Sequence, residues 1–263
     1  MIIVMVAALG LVFGSFVNAF VWRLHEGKDW LHERSECVHC HHKLAAKDLV
    51  PVFSYMMLRG KCRYCHKKIE DSPWVELATM ALFLGSYFFW PVAFQGAGLF
   101  RFVVWLVISV GLMALVVYDF RWYLLPDKVV FPLAGLAAVQ VLVVSVLYHG
   151  GWREILGALA GAVIISGTFY AIFQLSQGKW IGGGDVKLGL VLGLLAGGPF
   201  NSLLLLFTAS VSGMLFSLPL LFTGKASRKS QLPFGPFLIF GLVVVQLFGT
   251  TITSWYARHL LYR

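Results

Sequence analysis

Residues 102–118 read FVVWLVISVGLMALVVY, an apolar run without a charged side chain that is followed directly by Asp119. About 20 such residues in a helix cross the ~30 Å hydrocarbon core of a bilayer. The rest of the chain has the same character, since 59% of its 263 residues are hydrophobic and only 13% are charged. A water-soluble fold cannot bury so much apolar surface. The sequence therefore predicts an integral membrane protein.

Eight runs of this kind predict an all-α polytopic membrane protein with about eight transmembrane helices. Backbone polar groups in lipid must be satisfied within helices or a closed barrel, and unbroken apolar runs favour helices over barrel strands. The expected spans cover residues 2–22, 75–95, 100–118, 128–148, 155–175, 188–199, 201–222 and 235–254. We expect three parts: a first transmembrane helix at 1–22, a small cytosolic zinc-binding insert at 23–74, and a transmembrane domain at 75–263. The first helix is expected to be retained, because no small-residue cleavage site follows it.

The lysines and arginines predict the orientation. With eight spans, 17 of the 21 Lys and Arg residues fall on one side of the membrane and four on the other. The side with the excess is expected to be cytosolic, which places both termini outside the cytosol. The net charge of +9 then reflects this orientation. It also favours contact with anionic lipid headgroups, to which the basic loop at 224–231 is suited. The sequence contains no basic helix with interleaved aromatic residues, the pattern that would indicate nucleic acid binding.

All four cysteines lie in the polar insert, as the pairs Cys37 and Cys40, and Cys62 and Cys65. Two Cys-x-x-Cys pairs separated by 21 residues are typical of tetrahedral zinc bound by four thiolates. Two disulfides are the alternative, which a cytosolic location disfavours. Four thiolates leave no open position for water, so the metal is expected to stabilise the insert and not to perform hydrolysis. The histidines beside these pairs are expected to stay outside the metal shell.

Two acidic residues at predicted membrane boundaries are candidates for catalysis. Asp119 ends the third span, and Asp185 follows three glycines, Gly182, Gly183 and Gly184, at the start of the sixth. Helices three to six form two hairpins that can bring these carboxylates together, and such a pair suits aspartyl hydrolysis of a peptide bond. The glycines allow close backbone approach to an extended substrate and unusual dihedral angles. From spacing alone, a helix N-cap is an equal alternative for Asp185.

Three neighbouring charged residues receive other interpretations. Asp127 follows Leu-Pro at the start of the fourth span, where an N-cap is the preferred role. Arg121 and Lys187 are expected to be interfacial cations, with tuning of the aspartates as a second possibility.

Taken together, six ordered motifs resemble the bacterial type IV prepilin peptidases, aspartyl enzymes with a Gly-x-Gly-Asp motif. The motifs are GSFVN at 14–18 with RL at 23–24, the two Cys-x-x-Cys pairs, SPWVEL at 72–77, Asp119 with LPD at 125–127, GGGDVKL at 182–188 and LPFGPF at 232–237. The resemblance covers nearly the whole chain and implies that Asp119 and Asp185 are the catalytic pair. The proline-containing last motif is expected to shape the start of the last helix.

The resemblance also implies the substrates and a second activity. Family members remove a short basic leader from prepilins and pseudopilins, cut after a glycine at the cytosolic face of the inner membrane, and methylate the new amine with S-adenosylmethionine. No nucleotide-binding glycine-rich motif locates the methyl donor. Glu76, with Gly14, Ser15 and Asn18, is a candidate for the substrate or methyl-donor region, and helix packing is the alternative.

Two other functions remain open on the sequence. Carboxylates at membrane boundaries also occur in proton- or cation-coupled secondary transporters. A zinc-bearing membrane scaffold would explain the cysteines but would leave the glycine-aspartate loop without a role.

Overall fold

The fold is that of a computed structural model, which describes residues 1–29, 35–69, 73–223 and 232–261. Within these ranges the chain forms mainly α-helices, with a 3₁₀ turn at Ala46–Asp48, a π-helical turn at Ala257–Leu261 and two isolated β-bridges outside them. The helices are α1 Ile2–His25, α2 Phe53–Met57, α3 Trp74–Phe89, α4 Ala97–Trp122, α5 Asp127–Leu147, α6 Gly151–Ser176, α7 Gly183–Ala196, α8 Pro199–Phe222 and α9 Gly235–Tyr256. The predicted basic loop at 224–231 and Ser72 of the SPWVEL motif lie outside the described residues.

Each predicted span coincides with one of the helices α1 and α3 to α9, which confirms the all-helical polytopic fold. Six of them are long and apolar enough to cross a membrane: α1, α4, α5, α6, α8 and α9. Helix α3 has 16 residues and α7 has 14. Both are shorter than the ~20 residues of a complete span.

Two predicted spans had wrong boundaries, for local reasons. Helix α3 ends at Phe89 instead of residue 95, because Pro91 biases the residue before it away from helical geometry. Helix α7 covers 183–196 instead of 188–199. It ends early because Gly197 adopts a left-handed conformation with φ of 72°, the usual way for glycine to terminate a helix.

The chain forms two compact units, which are described separately. The first contains Met1–Phe88 and Ser109–Val117, and the second contains Phe89–Ile108 and Tyr118–Arg263.

In the first unit, α1 and α3 pack so closely that two α1 positions accept only hydrogen as a side chain. A Cβ atom at Gly10 would lie 2.6 Å from Met80 Cα, and one at Gly14 would lie 2.5 Å from Glu76 Cα. The two glycines are four residues apart and therefore share one helix face. Small residues allow such close packing in lipid, where no hydrophobic force drives helices together.

In the second unit, the short helix α7 packs against α5, α6, α8 and α9. Its Leu188 and Leu192 side chains are fully buried. The contact with α6 is again made through small residues, because a Cβ atom at Gly193 would lie 2.4 Å from Ala162 Cα. This packing fixes the position of α7 and of the residues at its N-terminus.

The glycine contact between α1 and α3 gives a stability prediction. We expect Gly14→Ala to lower the free energy of unfolding by about 1–3 kcal/mol, because the new methyl group meets backbone atoms that cannot move aside. The matched control is Gly85→Ala on α3, where nothing lies within 4 Å of the added Cβ. This control should be neutral or stabilising by up to about 1 kcal/mol. Thermal unfolding of both variants in the same detergent checks the prediction, and equal stability would contradict it.

Candidate functional site

Asp119 lies in the last turn of α4 in the second unit, and its carboxylate is 5% exposed. Its Oδ2 atom accepts a hydrogen bond of 3.1 Å from the backbone N–H of Gly235, the first residue of α9. A Cβ atom at Gly235 would lie 2.7 Å from the same oxygen. Position 235 therefore needs glycine so that the α9 backbone can reach the carboxylate.

Gly235 belongs to the LPFGPF motif, which we expected only to shape the start of the last helix. Helix α9 does begin within this motif, with a proline in its first turn. The direct contact with Asp119 was missed, because the two residues are 116 positions apart in sequence and nothing local predicts their pairing.

Asp185 is the third residue of α7, and Gly182 is the N-cap. The Asp185 carboxylate is turned back toward this N-cap, and its Oδ2 atom lies 3.8 Å from the Cβ position of Gly182. The alternative of Asp185 as the N-cap itself is therefore wrong. Its carboxylate is half-buried at a helix N-terminus, where partial positive charge favours an anion.

The structure brings the two aspartates together. They belong to the same compact unit, and Leu125 packs against Gly184, the residue before Asp185, and lies 3.5 Å from the Cβ position of Gly235, which holds Asp119. The Asp119 carboxylate is held by the Gly235 N–H group, and the Asp185 carboxylate lies at the N-terminus of α7. This arrangement can place two oriented carboxyl groups on either side of a peptide carbonyl and a water molecule.

The three glycines before Asp185 are not equivalent. A Cβ atom at Gly184 would lie 3.1 Å from Leu125 Cβ, whereas at Gly183 the nearest atom, in Phe173, is 3.8 Å away. None of the three has a positive φ, so the expectation of unusual dihedral angles was wrong. Close approach is needed only at Gly184.

Leu125 is a second residue whose role the sequence did not reveal. Its side chain packs over Gly184 on one side and lies 3.5 Å from the Cβ position of Gly235 on the other. It therefore contacts the backbone beside both aspartates. In the sequence it stands out only as part of the LPD motif.

Asp127 and Lys187 form an ion pair in which the ammonium Nζ contacts both carboxylate oxygens at 2.8 Å. Both side chains are about half exposed. The N-cap of α5 is Pro126, without a side-chain cap, so the preferred interpretation of Asp127 as an N-cap is wrong. Asp127 is the first residue of the helix, and its side chain is directed to Lys187 on α7 instead of to its own backbone.

In the first unit, the four cysteines form a compact cluster. Their sulfur atoms all lie within 4.8 Å of one another, and Cys37 and Cys65 are 3.8 Å apart. The cysteines are free, which excludes the disulfide alternative in this structure. Tetrahedral thiolates about 2.3 Å from zinc would be about 3.8 Å from each other. The cluster can therefore hold a metal ion, and its spacing suits zinc.

The two halves of the cluster repeat one backbone structure. Each is framed by a β-bridge between residues seven apart, Glu36 with Lys43 and Lys61 with Lys68. In each, the residue after the second cysteine has a positive φ, 54° at His41 and 58° at His66. Among the described residues, the group that could hold a metal ion contains the four cysteines and no histidine.

A buried carboxylate connects the second half of the cluster to the rest of the insert. Asp48 accepts hydrogen bonds from Arg63 Nε at 2.7 Å and Tyr64 Oη at 3.0 Å, and from the Ala45 N–H at 3.2 Å. Burial raises the pKa of Asp48, but these hydrogen bonds and the Arg63 charge outweigh it, so the pKa lies below the usual value. Asp48 therefore stays ionised and keeps these bonds at neutral pH.

Glu76, a predicted substrate or methyl-donor residue, is buried in the first turn of α3. Its carboxylate accepts a hydrogen bond from the backbone N–H of Val52, which precedes α2. This contact fastens the insert to the start of α3. A role toward a methyl donor stays a prediction.

Two family descriptions match the chain. Residues 8–90 match the Bacterial Peptidase A24 N-terminal domain, and residues 106–218 match the Type IV leader peptidase family. The first match contains the cysteine cluster and Glu76, and the second contains both aspartates.

Curated relatives are similar over nearly the whole length. The chain is 32% identical to a prepilin leader peptidase/N-methyltransferase of Pseudomonas putida, with 95% of this chain and 92% of the relative covered. It is also 28% identical to the protein of that name in Bacillus subtilis (strain 168), with 95% of each chain covered. No solved structure gives a match. The chain therefore belongs to the type IV leader peptidase family, and it is a membrane enzyme of the A24 peptidase type.

Proposed function

We propose that this enzyme cleaves the basic leader from type IV prepilins and pseudopilins, using Asp119 and Asp185. The main support is the placement of two carboxylates in one unit, with Asp119 held by the Gly235 N–H group and Asp185 at the N-terminus of α7 after a glycine-rich loop. The names of the relatives support the substrate class. The family is one of peptidases, which disfavours the transporter alternative.

In the proposed mechanism, the two carboxyl groups share one proton, since neighbouring carboxylates do not ionise together easily. The ionised group takes a proton from a water molecule, whose oxygen attacks the scissile carbonyl carbon. The protonated group donates its proton to the carbonyl oxygen. The C–N bond then breaks with proton transfer to the leaving amine, and no covalent enzyme intermediate is needed.

The predicted orientation agrees with this substrate. The excess of lysine and arginine puts the ends of α4 and α7 that carry the aspartates on the cytosolic side, with both termini outside. A prepilin holds its apolar segment in the bilayer and its basic leader in the cytosol. Its cleavage point then lies at the depth proposed for the aspartates.

The mechanism predicts that Asp119→Asn and Asp185→Asn each lower the cleavage rate by about 10²–10⁴-fold. Asparagine has nearly the same shape as aspartate and, at position 119, keeps an oxygen that accepts the hydrogen bond from Gly235, so both variants should fold. The measurement is cleavage of a full-length prepilin by purified protein. The exposed Asp29→Asn variant is the matched control and should cleave at the wild-type rate. Retained activity in either catalytic variant would refute the paired-aspartate mechanism.

We also propose that the enzyme methylates the new N-terminal amine with S-adenosylmethionine as donor. The names of the relatives support this activity. It is tested in the same assay by adding the donor and measuring the mass of the mature product. A cleaved product that never gains a methyl group would refute the methylation proposal and leave the peptidase proposal intact.

We further propose that Cys37, Cys40, Cys62 and Cys65 hold a structural zinc ion. Such an ion would cross-link the two halves of the cluster and stabilise an insert that is too small for a large core of its own. Four thiolates leave no position for a water molecule, so the ion takes no part in the cleavage.

This proposal predicts zinc in the purified enzyme, close to one ion per chain, and its loss in Cys62→Ser. Cleavage by Cys62→Ser should stay within about tenfold of wild type, because the metal is not a catalyst. Elemental analysis and the cleavage assay provide the measurements. The control His66→Ser changes the neighbour of a ligand and should keep its zinc. A wild-type protein without zinc would overturn the assignment.

A further inference from the structure

We infer that the ion pair of Asp127 and Lys187 is a positioning device that fixes Asp185 relative to Asp119. This inference rests on the proposed function, because it assigns the pair a role in the aspartate mechanism. Neither residue is given a chemical step. The argument depends on how the first turn of α7 is held and on the path that the chain takes between the two aspartates.

The first turn of α7 is held on three sides around Asp185. Leu125 packs against the backbone at Gly184. On α6, Ser166 Oγ donates a hydrogen bond of 2.9 Å to the carbonyl oxygen of Val186. Lys187 Nζ binds both oxygens of Asp127. Gly184, Val186 and Lys187, which flank Asp185, are thus each held by a different contact.

The ion pair also completes a short path of covalent bonds and contacts between the two aspartates. Helix α4 ends at Trp122, where Tyr123 adopts a left-handed conformation with φ of 56°. The chain then reaches Asp127 at the start of α5, only eight residues after Asp119. From Asp127 the path continues through the ion pair to Lys187, which is two residues from Asp185. A shift of α7 relative to the start of α5 must therefore stretch or break this pair.

Lys187 has a second contact on α5. Its Nζ atom lies 5.6 Å from the centre of the Phe131 ring, within the range of a cation–π interaction. Asp127 and Phe131 are four residues apart and share one face of α5. The lysine is thereby held by the same helix through charge and through the aromatic ring, which restricts its side chain to one direction.

Stability and catalysis should respond differently to loss of this pair. Exposed ion pairs contribute little to the free energy of unfolding, and Asp127 and Lys187 have side-chain exposures of 52% and 43%. The position of a reacting group is more sensitive, because a displacement of about 1 Å can lower a rate by about 100-fold. Disruption of the pair should therefore lower kcat while the protein remains folded.

The experiment compares Asp127→Asn, Lys187→Met and the charge-exchanged double variant Asp127→Lys with Lys187→Asp, all as full-length protein. The control is Lys128→Met, which removes the same charge from the exposed neighbour of Asp127. With a full-length prepilin as substrate, we expect kcat to fall about 10–100-fold in the two single variants. KM should stay within about twofold, because substrate contacts are unchanged. The charge-exchanged variant should recover at least a part of kcat, and the control should match wild type.

Hydrogen exchange gives a readout that does not depend on cleavage. Amides in the first turns of α7 should exchange faster in both single variants, return toward wild type in the charge-exchanged variant and stay unchanged in Lys128→Met. Unchanged exchange in the single variants, or an equal effect of Lys128→Met, would overturn the positioning role. If the wild-type protein cleaves no prepilin, the proposed function fails, and the exchange data still decide whether the pair holds α7.

Discussion

Lipid constrains this protein more than any single contact does, because a backbone inside the bilayer must satisfy its own polar groups. Helices are the result, and polar chemistry is concentrated where helices begin and end. Asp119 lies in a last turn, where the free N–H group of Gly235 at the start of α9 reaches it, and Asp185 lies in the first turn of α7, among the free N–H groups of its own helix. Since apolar surfaces attract each other little in lipid, the helices approach through glycine at Gly14 and Gly193. The position of the candidate site follows from these two conditions.

Hydropathy was sufficient to predict the type and approximate place of the eight apolar helices α1 and α3 to α9, because length and apolar composition are local properties of a sequence. The short helix α2 in the polar insert was not predicted. The ends of α3 and α7 were less predictable, since they depend on Pro91 and Gly197 more than on hydropathy. The grouping of the four cysteines was equally predictable from the sequence, because Cys-x-x-Cys spacing is the one that a tetrahedral metal site requires.

The long-range contacts of the acidic residues could not be predicted from the sequence in this way. Gly235 reaches Asp119 across 116 residues, and Lys187 reaches Asp127 across 60. Nothing in the local sequence distinguishes Asp127 in such a pair from Asp127 as a helix cap. The family resemblance identified these positions as important, but only three-dimensional packing shows which residue contacts which aspartate.

Gly183 and Gly184 have unequal surroundings, which agrees with the second and third letters of the family motif, Gly-x-Gly-Asp. In this chain the variable position is Gly183, where an added side chain would have its nearest neighbour 3.8 Å away, an ordinary contact distance. The next position, Gly184, is closed by Leu125 at 3.1 Å. Tolerance to substitution is therefore expected to change between adjacent residues of one loop. The limit at Gly184 is set by the connection between α4 and α5, so the loop before one aspartate is constrained by the segment that follows the other.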